Sequence, residues 1–410
     1  MMRKALPWIV VAVLVVGGLT AATYLRPLAL IAASKTLDMF IPLSGAPEPI
    51  GSADLAGSGP GTLLSATTMP GVTSTFNGQG MRAARVVYRS TSGDTGAQTV
   101  VSGAVLTPLG RAPRDGWPVV ALGHGTLGID NNCGPSLSPT LMNLLPIAKV
   151  VVNLGYAVAL PDYQGLGVKG VHPYSDARTA GLNLIDAVRA ARHVFGDVST
   201  TWAAFGDSQG GAAAWAADEQ AEPYAPDLKL VGAVAIAPAA DISGLVAKSQ
   251  TGTLTSEQRP VLQALIESLA RLHPDLNRDD YRHGGASRYW NVLTDCSAGA
   301  AYKRAVAAGQ LGPRDFLPVS PDAAQRLQDL LQAWAIPQRR LTAPLYVWYG
   351  GQDPFIDSTW TKAAIGRACS LGGTVTTEFD PRGGHNPPAA QEMLDWMADR
   401  FAGKKVTNDC

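Results

Sequence analysis

Apolar and polar positions follow two periods along this chain. Short apolar runs of strand length alternate with segments whose apolar residues recur at helical spacing. The runs predicted as strands lie in ARVVYRS (84–90), TVVSGAVLTP (99–108), WPVVALGHG (117–125), GYAVALPDYQGLG (155–167), TWAAF (201–205), LVGAVAIAP (230–238), APLYVWYG (343–350) and GTVTTEFD (373–380). The turn residues of TSGDTGAQ make the first two an antiparallel pair. The later alternation predicts an α/β fold, with a mostly parallel sheet covered by helices on both faces.

Helical spacing is clearest between Ser175 and Phe195, where Ser175 is available as the N-cap. AAAWAADEQ (212–220) follows as a helix, and PPAAQEMLDWMADRFAG (387–403) is predicted as a closing amphipathic helix with proline at its start. Between about residues 239 and 340 two helical patterns occur, 256–272 and 320–336, without a convincing strand. This part is predicted to be a helical cap inserted between strands of the sheet.

The N-terminus predicts export. Arg3 and Lys4 precede an uncharged, largely apolar stretch from Ala5 to Leu25, which is long enough to span a bilayer. Residues 1–34 are therefore either a cleaved signal peptide or a membrane anchor. The Pro/Gly/Ser-rich region that follows is interpreted as a linker or arm. The predicted units are 35–64 (arm), 65–238 (first part of the core), 239–340 (cap) and 341–410 (second part of the core).

Composition excludes some functions. Of 410 residues, 46% are hydrophobic and 16% charged, and Lys+Arg and Asp+Glu both number 33. With no basic surplus, nucleic acid is not an expected partner. In an exported chain, the four cysteines predict two disulfides, for which sequence alone allows three pairings: Cys133, Cys296, Cys369 and Cys410. No Cys/His cluster suggests a metal, and no cofactor is expected.

The pattern Gly206-Asp207-Ser208-Gln209-Gly210 lies between a short apolar strand and a helix. In this setting a nucleophile elbow raises a serine above a sheet on a strained turn. The glycines suit a turn in which side chains two positions from the serine would collide with neighbouring elements. The pattern is weak alone, but its setting makes Ser208 the candidate nucleophile.

A serine nucleophile needs a base and an orienting acid, which follow it in the order acid, histidine in this kind of site. Asp353 comes just after a predicted strand, and His385 lies between the last strand and the last helix. Asp357 and, less favoured, Asp380 remain alternatives for the acid. The other histidines are disfavoured as the base by their positions: His124, His172, His193, His273 and His283. Of these, His172 is a candidate for the pocket wall.

An oxyanion hole needs two backbone N–H donors. Gln209, directly after the nucleophile, supplies one candidate. The Gly125–Thr126 loop after the WPVVAL run supplies the other. His124 in that loop is expected to hold it in place rather than to take part in the chemistry.

Several motifs together resemble the secretory lipase family of α/β-hydrolases: GHGTLGIDNNCGPS, GYAVALPDYQGLG, HPY, FGDSQGG, YGGQDPFI and GGHN. The resemblance runs from about residue 65 to the C-terminus. It implies an α/β-hydrolase fold, a Ser208–His385–Asp353 triad, an oxyanion hole at Gly125, Thr126 and Gln209, and a helical lid over an acyl pocket. It also implies that Cys133 pairs with Cys296, which leaves Cys369 for Cys410.

The expected function is hydrolysis of a carboxylic ester, lipidic or otherwise apolar, by an exported serine hydrolase. A short-chain esterase, an acyltransferase or a peptidase using the same triad stays open, as does a non-catalytic binding protein. The cap and the N-terminal segment are candidates for contact with a membrane or lipid interface.

Overall fold

The computed structural model describes residues 45–296 and 300–410. The predicted export segment, residues 1–34, lies outside the described residues. The chain forms a nine-stranded sheet with helices around it. The strands are β1 (Leu63–Thr68), β2 (Met81–Thr91), β3 (Gln98–Pro108), β4 (Trp117–Gly123), β5 (Ala157–Pro161), β6 (Val198–Asp207), β7 (Lys229–Ile236), β8 (Leu345–Gly350) and β9 (Val375–Asp380).

The strand order is β1-β2-β3-β5-β4-β6-β7-β8-β9. β1, β2, β3 and β5 pair antiparallel, and β5, β4, β6, β7, β8 and β9 pair parallel. The predicted antiparallel pair is confirmed as β2 and β3. β1 is not among the strands predicted from the sequence, because LLSATT lacks the sustained apolar alternation that marks a strand.

The helices are α1 (Pro70–Thr73), α2 (Leu145–Asn153), α3 (Ala177–Val194), α4 (Gln209–Tyr224), α5 (Gly244–Thr251), α6 (Gln258–Leu272), α7 (Gly284–Leu293), α8 (Ala300–Ala308), α9 (Pro321–Trp334), α10 (Ser358–Ser370) and α11 (Gln391–Phe401). The sheet separates two apolar clusters, one containing residues of α3 and α4 and the other residues of α2 and α11. In β4, Val119 and Ala121 belong to the first cluster, whereas Val120 and Leu122 belong to the second. The sheet is thus buried on both faces, as an α/β fold requires.

Two predicted helix starts are wrong. Ser175 does not cap α3; the N-cap is Asp176, whose carboxylate accepts hydrogen bonds from the N–H groups of Arg178 and Thr179. A carboxylate at this position also complements the helix dipole. Pro387 and Pro388 do not begin α11, which starts at Gln391. The two prolines lie instead in the loop that follows His385.

Between β7 and β8 the described residues form five α-helices, α5 to α9, a short 3-10 helix (Arg278–Asp280), and no strand. We call this part the helical insertion. A disulfide between Cys133 and Cys296 joins it to the loop after β4, and a second disulfide joins Cys369 to Cys410. In the part of the chain covered by the structure, no helix is both long enough and apolar enough to cross a bilayer.

Candidate active site

Ser208 lies between the end of β6 and the start of α4, and its backbone has φ 54° and ψ −118°. A non-glycine residue with positive φ is strained, and such strain persists only where surrounding contacts enforce it. The main chain of Ser208 donates to the carbonyl of Ile236 at 2.8 Å and accepts from the N–H of Ala239 at 3.1 Å. The turn is therefore fixed to β7 and to the residues that follow it.

Glycine is required on both sides of this turn. A Cβ at Gly206 would lie 2.1 Å from the carbonyl oxygen of Gly210, and one at Gly210 would lie 2.2 Å from that of Gly123. Both distances are far below van der Waals contact, and the atoms in the way belong to the backbone. The glycines thus allow β4, the elbow and the first turn of α4 to approach closely.

Asp353 and His385 come from different loops and meet. Asp353 Oδ2 accepts a hydrogen bond from His385 Nδ1 at 2.7 Å. Asp353 Oδ1 accepts from the N–H groups of Phe355 and Ile356, and the side chain of Asp353 is only 2% exposed. With Nδ1 held by the carboxylate, a neutral His385 ring presents Nε2 as a proton acceptor.

The two loops are joined by their backbones. The N–H of Gly351 donates to Asp380 O at 2.7 Å, and the N–H of Gln352 donates to Gly383 O at 2.8 Å. A Cβ at Gly350 would lie 2.1 Å from Gly384 O, so this approach also depends on glycine.

The alternative acids have other partners. Asp357 accepts from Lys248 Nζ at 3.1 Å and from Gln258 Nε2 at 3.0 Å. Asp380 accepts from the backbone N–H of Arg382. Of the three candidate carboxylates, Asp353 is the one that is hydrogen-bonded to His385.

Ser208 and His385 line the same cavity, but no hydrogen bond joins Ser208 Oγ to His385 within the described residues. Catalytic hydrogen bonds are often long in a free enzyme and tighten when substrate binds. The structure thus brings the two residues to one cavity without a hydrogen bond between them.

The predicted oxyanion residues Gly125, Thr126 and Gln209 also line this cavity. Within the described chain, the backbone N–H groups of Thr126 and Gln209 have no hydrogen-bond acceptor. Gly125 instead lies beside the carboxylate of Asp207. Burial raises the pKa of this carboxyl above its ordinary value, and His385 and the backbone N–H groups of Asp207 and Gly125 partly offset the rise. The geometry therefore favours Thr126 over Gly125 as the donor from this loop.

A buried layer supports the Gly125–Thr126 loop. His124 Nδ1 lies 2.7 Å from the carbonyl of Gly125, and burial lowers the pKa of His124 to about 4, so its ring is neutral near pH 7. Tyr163 donates its hydroxyl hydrogen to His124 O at 3.2 Å. His124 itself is not among the residues that line the cavity, so its contacts are those of a residue that holds the loop.

The cavity has a volume of about 570 Å³. The part of its wall contributed by the helical insertion is largely apolar: Ile242, Pro260, Val261, Ala264, Leu293, Ala305 and Ala308. Glu257 and Arg304, also from the insertion, are charged members of the wall. A volume of this size with few polar groups is typical of a small-molecule site.

Sequence reasoning assigned no role to Tyr174. This residue lines the cavity, and its hydroxyl lies 2.7 Å from Thr126 Oγ1. His172, a candidate for the cavity wall, is instead buried behind it and is hydrogen-bonded to the side chain of Gln209. The sequence feature that could have pointed to both residues is the HPY motif, to which they both belong.

The sheet and its helices form an α/β-hydrolase fold. A serine, a histidine and a carboxylate lie in the loops at the ends of its strands. The chain belongs to the secretory lipase family, whose model matches residues 138–409. The family and the two disulfides fit an extracellular protein.

Individual relatives give a mixed picture. The chain is 28% identical over 373 residues to a protein of Mycobacterium tuberculosis named "probable inactive lipase", covering 85% of this chain and 80% of the relative. It is 25% identical over 362 residues to a "probable trichothecene esterase" of Stachybotrys chartarum, covering 80% of this chain and 69% of the relative. The structure of Candida antarctica lipase A in its closed state has the same fold, with a TM-score of 0.68, 15% identity, and coverage of 91% and 88% of the two chains.

Proposed function

We propose that this protein is an exported serine hydrolase that cleaves carboxylic esters through Ser208, His385 and Asp353. The observation that carries the proposal is the 2.7 Å hydrogen bond between Asp353 and His385, because His385 lines the same cavity as the strained elbow serine. The family supports ester chemistry in general. The assignment of roles to these three residues is ours.

In the proposed reaction, Ser208 Oγ attacks the ester carbonyl carbon while His385 Nε2 takes the hydroxyl proton. Asp353 stabilises the resulting imidazolium. The carbonyl oxygen becomes an oxyanion that accepts hydrogen bonds from the N–H groups of Thr126 and Gln209. His385 then protonates the departing alcohol. In the second half of the reaction, water attacks the acyl-enzyme while His385 takes its proton, and His385 returns that proton to Ser208 Oγ as the carboxylic acid is released.

The walls of the cavity favour an apolar acyl group. Most of the wall contributed by the insertion consists of aliphatic side chains, and a buried methylene contributes about 0.8 kcal/mol of transfer free energy. We therefore propose a lipid or other acyl ester as the substrate, with the helical insertion acting as the lid.

The first test is covalent labelling with a fluorophosphonate probe. We expect the wild-type protein to be labelled and Ser208→Ala not to be. Ser175→Ala is the matched control, because Ser175 lines the same cavity and also has a positive φ, of 64°. Loss of labelling in the control but not in Ser208→Ala would overturn the assignment of the nucleophile.

The second test is turnover of p-nitrophenyl esters from acetate to palmitate. We expect kcat/KM to increase with acyl length until the chain fills the cavity. Hydrolysis confined to the shortest esters would refute the lipid substrate and leave a short-chain esterase.

A second candidate is a protein that binds esters without turning them over. The name of the Mycobacterium tuberculosis relative favours it. Unlike the first candidate, it predicts that an acyl ester binds and stabilises the wild-type protein but that no alcohol is released, even with Ser208 intact.

Export and membrane contact form a separate part of the proposal. Tyr302 and Val306 lie one turn apart on α8 and are 78% and 47% exposed, and other residues of α8 line the cavity. We propose that this face meets the lipid interface. The test is sedimentation with phospholipid vesicles, in which we expect less Tyr302→Ser than wild-type protein to be carried down.

We also propose that residues 1–34 direct export. The test is the N-terminal sequence of the secreted protein.

A further inference from the structure

The short segment His172–Tyr174, between β5 and α3, contacts both candidate oxyanion residues. On one side, the hydroxyl of Tyr174 lies 2.7 Å from Thr126 Oγ1. Tyr174 is buried apart from the edge that faces the cavity, whereas Thr126 is exposed, which makes this a partly buried hydrogen bond. It fixes the side chain of Thr126, whose backbone N–H is a proposed donor.

On the other side, His172 contacts Gln209. His172 Nδ1–H donates to the carbonyl of Gln164 at 2.9 Å, which leaves Nε2 to accept from the Gln209 side-chain amide at 3.1 Å. His172 is 2% exposed, and burial lowers its pKa to about 3, so the ring stays neutral and keeps this tautomer. The side chain of the second proposed donor residue is thus also held.

The segment is itself fixed by the helical insertion. Ser268 of α6 accepts from the backbone N–H of Tyr174 at 2.9 Å and donates its hydroxyl hydrogen to the carbonyl of His172 at 2.5 Å. Ser268 is fully buried. A continuous set of hydrogen bonds therefore runs from the insertion to both sides of the oxyanion hole.

We propose that His172 and Tyr174 are positioning residues for the oxyanion hole, with Tyr174 orienting Thr126, His172 orienting Gln209, and Ser268 coupling both to the helical insertion. The inference rests on the proposed function, because an oxyanion hole has meaning only for acyl transfer. Its physical basis is that such donors act strongly only when they are preorganised at about 2.7–3.1 Å from the developing charge.

A purely structural role for these hydrogen bonds predicts something different. Losing such a hydrogen bond lowers the free energy of unfolding wherever the bond lies. A positioning role adds a loss specific to the transition state, which lowers kcat and leaves KM nearly unchanged. It also weakens binding of an alkylboronic acid, which forms a tetrahedral anion on the serine.

The first experiment compares Tyr174→Phe with Tyr281→Phe. Tyr281 is the matched control: it is equally buried, and its hydroxyl donates to Ala323 O at 2.8 Å within the insertion, away from the cavity. We expect Tyr174→Phe to lower kcat about tenfold and to weaken boronic acid binding by a similar factor, less than the loss of a whole donor. We expect Tyr281→Phe to lower the melting temperature only.

The second experiment compares two amides at position 172. A glutamine amide reaches about as far as Nε2 of histidine, and an asparagine amide about as far as Nδ1. His172→Gln can therefore keep the contact with Gln209, whereas His172→Asn keeps only the contact with Gln164. We expect kcat to be higher in His172→Gln than in His172→Asn.

The outcomes are distinguishable. A wild-type protein that turns over esters, with Tyr174→Phe no different from Tyr281→Phe in kcat, would overturn this inference alone. A rise in KM at constant kcat would do the same, because it would make Tyr174 part of the cavity wall only. A wild-type protein without turnover or probe labelling would overturn the proposed function and this inference with it.

Discussion

The sheet and the helical insertion contribute to the cavity by different physical means. At the sheet, backbones approach so closely that Gly206, Gly210 and Gly350 cannot accept a Cβ, and this closeness sets the positions of Ser208 and of the loop carrying Asp353. The insertion instead presents aliphatic side chains to the cavity. In the proposed site, the positions of the candidate reacting groups thus depend on backbone geometry, and the shape of the space offered to a substrate depends on side-chain volume.

The insertion is joined to the sheet region at separate points. One is the Cys133–Cys296 disulfide, and another is the contact of Ser268 with the HPY segment. The third connection lies at the C-terminal end of the insertion and is made by two carboxylates of α4, Asp218 and Glu219. They accept hydrogen bonds from four backbone N–H groups: Thr342 and Ala343 bond to Asp218, and Gln338 and Arg339 bond to Glu219.

The largest expected effect is on the sheet side. Asp353→Asn should lower kcat by about 10⁴, because the amide no longer stabilises the imidazolium and favours the wrong tautomer. Ester hydrolysis measures it. Asp357→Asn makes the same chemical change four positions away, in a carboxylate paired with Lys248, and should leave kcat within about threefold. The reverse order of effects would transfer the acid role to Asp357.

A smaller and selective effect is expected on the insertion side. Ala264 of α6 lines the cavity, so Ala264→Phe should remove space from it. We expect kcat/KM for the palmitate ester to fall by about 10- to 100-fold, the range for changes in pocket volume, with the acetate ester nearly unaffected. An equal loss for both esters would show that the insertion also sets the reacting geometry.

The two disulfides offer a third comparison. Cys133–Cys296 spans 163 residues and joins the insertion to the sheet region, whereas Cys369–Cys410 spans 41. Chain entropy predicts that replacing the first pair by alanine lowers the free energy of unfolding by about 1 kcal/mol more than replacing the second. Urea unfolding followed by tryptophan fluorescence measures both. A larger loss from the shorter loop would contradict this.

The smallest expected effect concerns pH. Burial raises the pKa of Asp218 to about 8 and that of Glu219 to about 7, above their ordinary values of 3.8 and 4.5. The folded state therefore holds protons that the unfolded state releases. These two groups therefore make their full contribution to the free energy of unfolding below their ordinary pKa values. That contribution is lost as the pH rises through about 8.

The melting temperature should thus fall between pH 6 and pH 9, and less steeply in Asp218→Asn. Asp227→Asn is the control, because Asp227 is partly exposed and its pKa is lowered by Arg189. A fall of the same size in all three proteins would exclude Asp218 as the cause.

Much of the fold was predictable, because the runs of apolar residues and their spacing reflect burial directly. The paired strands β2 and β3 and the helices α3, α6 and α9 follow such patterns. β1 was missed because LLSATT is half polar, and the N-cap of α3 was misplaced by one residue because Ser175 and Asp176 are both good caps. Element ends depend on a few local hydrogen bonds that periodicity does not report.

For the candidate site, the amino-acid sequence specifies which residue types stand at the ends of which strands, and in what order. That was enough to name Ser208, Asp353 and His385 as candidates. The folded chain was needed to find that Asp353, rather than Asp357 or Asp380, is hydrogen-bonded to His385. It was also needed to find the contacts of Tyr174 with Thr126 and of His172 with Gln209, residues 48 and 37 positions apart. The reason is physical: such contacts arise where separate loops converge at one edge of the sheet, and linear spacing carries no record of that convergence.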